Sequence, residues 1–477
     1  MRILPAVLTS CWLLLAGCSA STSSPEPNRS SVPSKERVDL LILGGTVITM
    51  AGENIVDGAV AVRNGEIVAI GSKAELDGRF TAQAPIDASG MAVMPGLVNA
   101  HTHAPMTLFR GIADDRDLMD WLQNFIFPAE KNNVDAEFVR WGTRLAAAEM
   151  IRSGTTTFAD MYYFEADIAR ETRKAGLRAV LGETLIDFPA PDNKTWSAAI
   201  AYMRQFAAEF ANDPLITPAI APHAPFTVSR EHLIEVRALA TELRIPILIH
   251  LSETEDELRQ VAGRSEGKRP AEYLESIGFL AADVVAAHGV WLSGEELEIL
   301  AARGVGVAHN PESNMMLASG IAPVTEMRRV GIDVGLGTDG PAGSNNNLDM
   351  FEEMASAARL QKIARKDPKA LSARDVLEMA TIDGARALGL NHKIGSLEVG
   401  KRADIIVVDV SQAKTQPLYS VESALVYAAS GDDVVTSIVD GRILMRDRKL
   451  LTIDLPSTLR QAEAYQRKIS ASLKTAN

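Results

Sequence analysis

Several histidines and carboxylates of this chain fall where metal chemistry would need them. His101-Thr-His103 closes an apolar extended run, and alternate residues of an extended segment point the same way, so both imidazoles can face one point. A pair of this kind is weak evidence alone. Three further residues strengthen it: His250 ends the run Ile245-Pro-Ile-Leu-Ile-His250, His288 ends Val284-Val-Ala-Ala-His288, and Asp339 follows Ile332-Asp-Val-Gly-Leu-Gly-Thr338. Neutral imidazole nitrogens and a carboxylate suit Zn²⁺, with Fe²⁺, Mn²⁺ or Ni²⁺ as alternatives. A set of three His and one Asp leaves room for a water, which a divalent ion activates to hydroxide near neutral pH. Glu253 lies three residues beyond His250, close enough to overhang the site as a general acid or base without binding the metal.

The elements that must hold these residues alternate between strand and helix. Candidate strands are Met94–Ala100, Thr155–Ala159, Ala179–Thr184, Ile216–Ala221, Pro246–His250, Val284–His288, Val305–His309 and Ile332–Gly337. Helical stretches intervene, among them Asp135–Ser153, Trp196–Asn212, Arg230–Leu243 and Gly294–Arg303. Eight such strands predict an α/β fold, a (β/α)8 TIM-like barrel, whose active site sits at the C-terminal ends of the strands. The histidines and Asp339 fall at the ends of strands one, five, six and eight. Short β-branched runs before the barrel (39–43, 46–49, 58–62, 66–70) and after it (403–409, 434–439, 441–444) predict a small β-sandwich built from both chain ends. Ser372–Ala387 reads as one helix, and residues 456–474 as a terminal amphipathic helix. The domain plan is 38–94 and 393–455 for the sandwich, 95–392 for the barrel and 456–477 for the C-terminal helix.

Residues 1–18 read as a lipoprotein-type signal peptide. A positive start precedes an apolar core too short to span a membrane, and Leu15-Ala16-Gly17-Cys18 resembles the lipobox of bacterial lipoproteins. Lipidation at Cys18 would make the protein an exported, membrane-anchored lipoprotein, touching the membrane only through its lipid. Residues 19–37, rich in Ser, Pro and charge, read as a flexible linker. The only cysteines are Cys11 and Cys18, so the processed chain would lack a thiol for a Cys-based zinc site, which excludes the cytidine-deaminase type. The net charge of -13 and the lack of a basic cluster argue against a nucleic-acid partner. Homo-oligomerisation is left open.

Five ordered segments carry a family resemblance: Pro95-Gly-Leu-Val-Asn-Ala-His-Thr-His103, His223-Ala-Pro-Phe-Thr227, His250-Leu-Ser-Glu253, His309-Asn-Pro-Glu-Ser-Asn314 and Gly337-Thr-Asp-Gly-Pro-Ala-Gly-Ser-Asn-Asn346. They resemble the amidohydrolase superfamily, in its branch of 5-methylthioadenosine/S-adenosylhomocysteine deaminases and triazine chlorohydrolases. The resemblance runs from about Val38 to about Arg446. It implies one divalent ion on His101, His103, His250 and Asp339. Glu253 would pass a proton to a ring nitrogen, His288 would orient the attacking hydroxide, and Asp339 would also take a proton from the bound water. Trp121 would line the base pocket, Glu130 would bind ribose hydroxyls, and His223 would add a substrate contact. The implied reaction is hydrolytic deamination of an aminated heterocycle, a small-molecule substrate such as 5-methylthioadenosine or adenosine. The alternatives are an amidohydrolase or chlorohydrolase of a non-nucleoside substrate, or a non-catalytic barrel. Strand four ends without a lysine to bridge two metals, so one ion is expected. Glu183 stands where an arginine would hold an amino-acid carboxylate, and repulsion there would disfavour S-adenosylhomocysteine.

Overall fold

The computed structural model describes residues 6–14, 16–17 and 35–475. Its first unit, Met1–Lys35, contains no helix or strand among the described residues. Cys18 and most of the 19–37 linker lie outside the described residues. The second unit, Glu36–Asn477, carries the fold.

Eight strands form the barrel: β1 Leu97–Thr102, β2 Thr155–Tyr162, β3 Arg178–Leu185, β4 Ile216–Pro222, β5 Ile247–Leu251, β6 Val284–His288, β7 Gly306–His309 and β8 Val334–Leu336. They pair in parallel and in sequence order, and β8 closes on β1 through Leu336 and Asn99. Strands covered on both faces need apolar side chains throughout, which is why these read as near-continuous hydrophobic runs rather than alternating ones. The surrounding helices are capped locally. Asp135, for example, accepts the Phe138 N–H at 2.8 Å and starts the helix Ala136–Arg152. Tyr465 of the C-terminal helix, Leu455–Thr475, meets Phe138 edge-on with ring centroids 5.6 Å apart.

The chain ends share a second body. A six-stranded sheet joins Thr46–Val47 and Ala92–Pro95 to Ile405–Val408, Val434–Val439, Arg442–Arg446 and Lys449–Leu450. Ile405 to Val408 run antiparallel to Ala92–Pro95, in the register Ile405↔Pro95. A four-stranded sheet from the N-terminal side packs on it. Ile42, Val60, Val62 and Ile86 of that sheet share a buried cluster with Val47, Val93, Ile405, Val407 and Ile438.

Three expectations change. The run Met94–Ala100 is not one strand: Ala92–Pro95 belongs to the sandwich and Leu97–Thr102 to the barrel, with Gly96 at the junction. A Cβ on Gly96 would lie 2.1 Å from Thr156 Oγ1, so only glycine lets the chain cross there. Ser372–Ala387 is two helices, Ala373–Met379 and Ile382–Ala387. The break arises because the Ala380 carbonyl accepts the β1 amide of Val98 at 2.8 Å instead of continuing the helical ladder. Finally, Glu36–Arg37 form a short strand beside Phe80–Thr81 rather than the end of the linker, and the Glu36 carboxylate pairs with Arg63 and Arg79.

Candidate active site

The polar residues converge at the C-terminal mouth of the barrel. His101 lies on β1, and His103 immediately after it starts a tight 3-10 turn, Ala104–Phe109. Asp160 on β2 fixes that turn: its Oδ1 accepts both the Ala104 N–H and the Thr102 hydroxyl at 2.6 Å. His250 ends β5, and its N–H donates to the His223 carbonyl beyond β4 at 3.1 Å. His288 closes β6. Asp339 follows β8, and its N–H donates to the His101 carbonyl at 3.0 Å. His288 (φ 73°) and Asp339 (φ 61°) both adopt the left-handed backbone that non-glycine residues rarely take, a mark of functional positions.

One ligand atom from each of His101, His250, His288 and Asp339 lies within 4.8 Å of the others. His103 is not in this quartet, yet its Nε2 is 3.2 Å from Asp339 Oδ1, beside His101 Nε2 at 3.3 Å. Five groups therefore surround one point, His288 among them. His103 Nδ1 pairs with the Met161 carbonyl at 2.5 Å and His250 Nδ1 with the His223 carbonyl at 2.7 Å. A carbonyl can only accept, so both rings carry Nδ1–H, which turns Nε2 toward the shared point. Outer hydrogen bonds of this kind orient metal-binding histidines. His101 Nε2 is buried and has no hydrogen-bond partner, the orphaned donor atom expected of a ligand. Burial pushes His101 down to about 4 and His250 well below its ordinary range, so both rings stay neutral. Although burial opposes it, the His101 and His103 rings beside it hold Asp339 well below the usual carboxylate range. Against burial, Asp339 lifts His103 to about 9. Asp339 thus draws positive charge to this point, whether a proton or a metal ion. The donor set fits a divalent cation.

Residues 92–444 match the amidohydrolase family. The chain belongs to that family. It is 49% identical over 435 residues to the 5-methylthioadenosine/S-adenosylhomocysteine deaminase of Syntrophobacter fumaroxidans, spanning 91% of this chain and 99% of the relative. It is 47% identical over 427 residues to the 5'-deoxyadenosine deaminase of Methanosarcina barkeri, spanning 89% and 97% of the two chains. The crystal structure of an adenosine deaminase from Xanthomonas campestris, with bound zinc, superposes with a TM-score of 0.90 at 41% identity, over 92% of this chain and 100% of that one. This amidohydrolase is accordingly a metal-dependent hydrolase of carbon–nitrogen bonds other than peptide bonds.

Above the histidine and aspartate cluster of this amidohydrolase opens a cavity toward the barrel mouth. Trp121, Glu130, His223 and Glu253, all expected from the sequence, line it. Trp121 opens a π-helical turn, Trp121–Ile126, and its Nε1 donates to the Ala342 carbonyl at 2.8 Å. Glu130 sits in the first turn of the helix Phe127–Asn133, and also faces the cavity. Burial raises its carboxyl to about 7, against the influence of Tyr162 and His103. His223 Nδ1 pairs with the Thr227 hydroxyl at 3.1 Å. Glu253 is buried, with Oε2 3.8 Å from His288 Nε2, and stands outside the metal quartet. Burial raises its carboxyl above the ordinary value.

Two findings depart from the sequence reading. Glu183 does not line the cavity; its neighbour Thr184 does. The Glu183 carboxylate instead accepts the Glu165 N–H at 3.1 Å and the Asn193 amide at 3.2 Å, so it repels nothing in the site. The second is Glu257, whose carboxylate accepts the Ser252 N–H at 2.9 Å and the Glu253 N–H at 2.8 Å and so fixes the backbone that carries Glu253. Its sequence signal was slight: a first-turn glutamate behind the cap Thr254, of a kind found on many helices.

Proposed function

We propose that this amidohydrolase deaminates an adenosine-type nucleoside, with 5-methylthioadenosine and adenosine as leading candidates and zinc as its metal. One observation carries the reading: a buried Glu253, its carboxyl raised above the ordinary value by burial, stands beside the histidine and aspartate cluster in a cavity that Trp121, Glu130 and His223 also line. The relatives named for 5-methylthioadenosine, 5'-deoxyadenosine and adenosine support it.

His101, His103, His250 and Asp339 would hold a divalent ion, which would supply an activated water near neutral pH. Glu253 protonates the ring nitrogen next to the carbon under attack and thereby helps expel ammonia. His288 orients the attacking water, and Asp339 accepts a proton from it. Trp121 flanks the base, Glu130 accepts from ribose hydroxyls, and His223 adds a polar contact. Among the described residues no arginine or lysine lines the cavity, so S-adenosylhomocysteine, with its carboxylate, is the poorer substrate.

The test is ammonia release by the zinc-loaded enzyme from adenosine, 5-methylthioadenosine, 5'-deoxyadenosine, S-adenosylhomocysteine, guanine, cytosine and a chlorotriazine. Turnover of the first three above the rest supports the reading. Turnover of the triazine alone, or silence across the panel with zinc bound, overturns it in favour of a non-nucleoside substrate or a non-catalytic barrel. The same proposal places the enzyme on a membrane through lipidated Cys18. No helix among the described residues is long and apolar enough to cross one. Cys18→Ser should move the protein to the soluble fraction, and unchanged sedimentation with membranes would count against the anchor.

A further inference from the structure

The segment after β7, His309-Asn-Pro-Glu-Ser-Asn314, has no part in the scheme above. Its short helix, Pro311–Met316, lies between the ends of β6 and β8 and sends one side chain to each. The Ser313 hydroxyl donates to Asp339 Oδ2 at 2.6 Å. That leaves Oδ1 as the oxygen turned toward His101 and His103. Asn314 Oδ1 stands 3.1 Å from His288 Nδ1. An amide oxygen can only accept, so this pairing requires a proton on His288 Nδ1 and leaves Nε2 bare toward Glu253. The Asn310 amide nitrogen approaches the same Nδ1 at a longer 3.4 Å, and Asn310 Oδ1 is buried without a partner. Turned over, that amide would present a second acceptor to the same nitrogen. Gly337 makes room for it, since a Cβ there would lie 2.6 Å from Asn310 Oδ1.

We infer that Ser313 and Asn314 are positioning residues: Ser313 selects which oxygen of Asp339 faces the metal, and Asn314 fixes the tautomer of His288 so that Nε2 is free to accept. Both targets also hold positive φ, His288 at 73° and Asp339 at 61°. The inference rests on the proposed roles of Asp339 and His288, but its readouts do not all need turnover.

The wild-type zinc enzyme labelled with ¹⁵N-histidine gives the first readout. The His288 signals, assigned by their loss in His288→Gln, should carry the pattern of a ring protonated at Nδ1. A ring protonated at Nε2 would overturn the inference. Asn314→Leu should remove that pattern and lower kcat about 10- to 100-fold with KM within about threefold, while Asn314→Asp, which keeps the acceptor, stays near wild type. Ser313→Ala should weaken zinc retention against a chelator about 10- to 100-fold. An Asn314→Asp variant as impaired as Asn314→Leu, or a Ser313→Ala variant with wild-type zinc retention, would refute the corresponding role. If the wild-type enzyme deaminates no nucleoside, the functional proposal fails alone, and the tautomer and zinc measurements still decide this one.

Discussion

Replacing Glu253 with glutamine isolates proton transfer from every other property of the site. The two side chains are nearly isosteric, so the cavity keeps its shape. The backbone of residue 253 is held by Glu257 through an N–H bond of 2.8 Å that the substitution does not touch. Glu253 is absent from the metal quartet, so the ion should stay. What disappears is a carboxyl that can give and take a proton, one that burial shifts above its ordinary value. General acid–base catalysis contributes about 10²- to 10⁴-fold, which at 1.36 kcal/mol per decade is about 2.7 to 5.4 kcal/mol of barrier. The expected result is a fall of kcat within that range, KM within about threefold, and unchanged zinc content. Ammonia release measures the rates, and atomic absorption on the same sample measures the metal. A kcat within threefold of wild type would refute the acid role. A large loss of zinc would refute the placement of Glu253 outside the ligand set.

Other expectations follow from the same geometry. Chelation should abolish turnover and lower the melting temperature, since an ion bound only by the folded chain stabilises it, and zinc should restore both; a chelated enzyme with full activity would rule out metal dependence. Glu130, raised to about 7, is mostly protonated below that pH and mostly ionised above it. If the carboxylate accepts from ribose hydroxyls, KM for adenosine should fall between pH 6 and pH 8, and Glu130→Gln should raise KM about tenfold and flatten that slope; an unchanged slope in the variant would assign it to another group. Gly96→Ala should cost about 1–3 kcal/mol in denaturant unfolding, because its Cβ would meet Thr156 Oγ1 at 2.1 Å; undiminished stability would mean that the β1–β2 contact yields freely.

Much of this architecture is legible in sequence for a simple reason. Parallel barrel strands are buried on both faces, so their apolar runs are conspicuous, and a polar residue at the end of one, such as His250 or His288, stands out against them. The less legible features depend on distance or register. Ser313 reaches Asp339, and Asn314 reaches His288, across 26 positions each, and nothing local marks either pairing. Glu183 and Thr184 are neighbours on β3, and the two faces of a strand alternate, so one step of register decides which of them meets the cavity. Assigning Glu183 to the site chose the wrong face. The division at Gly96 is marked in sequence only by the Pro95-Gly96 pair, a turn signal set inside an otherwise continuous apolar run; the close crossing itself depends on a side chain, Thr156, about 60 residues later.

The pairing of Ala92–Pro95 with Ile405–Val408 has a consequence for how the protein is made. On the ribosome, the first of these strands emerges some 300 residues before its partner. Until then, its hydrogen-bonding edge on that side is open, and open edges invite pairing with other chains. Any product that stops short of Ile405 keeps that edge permanently. Truncated or stalled chains should therefore aggregate even when every barrel strand and every metal-binding residue has already been synthesised, which makes the stretch from Ile405 onward a checkpoint for solubility as well as a part of the sandwich.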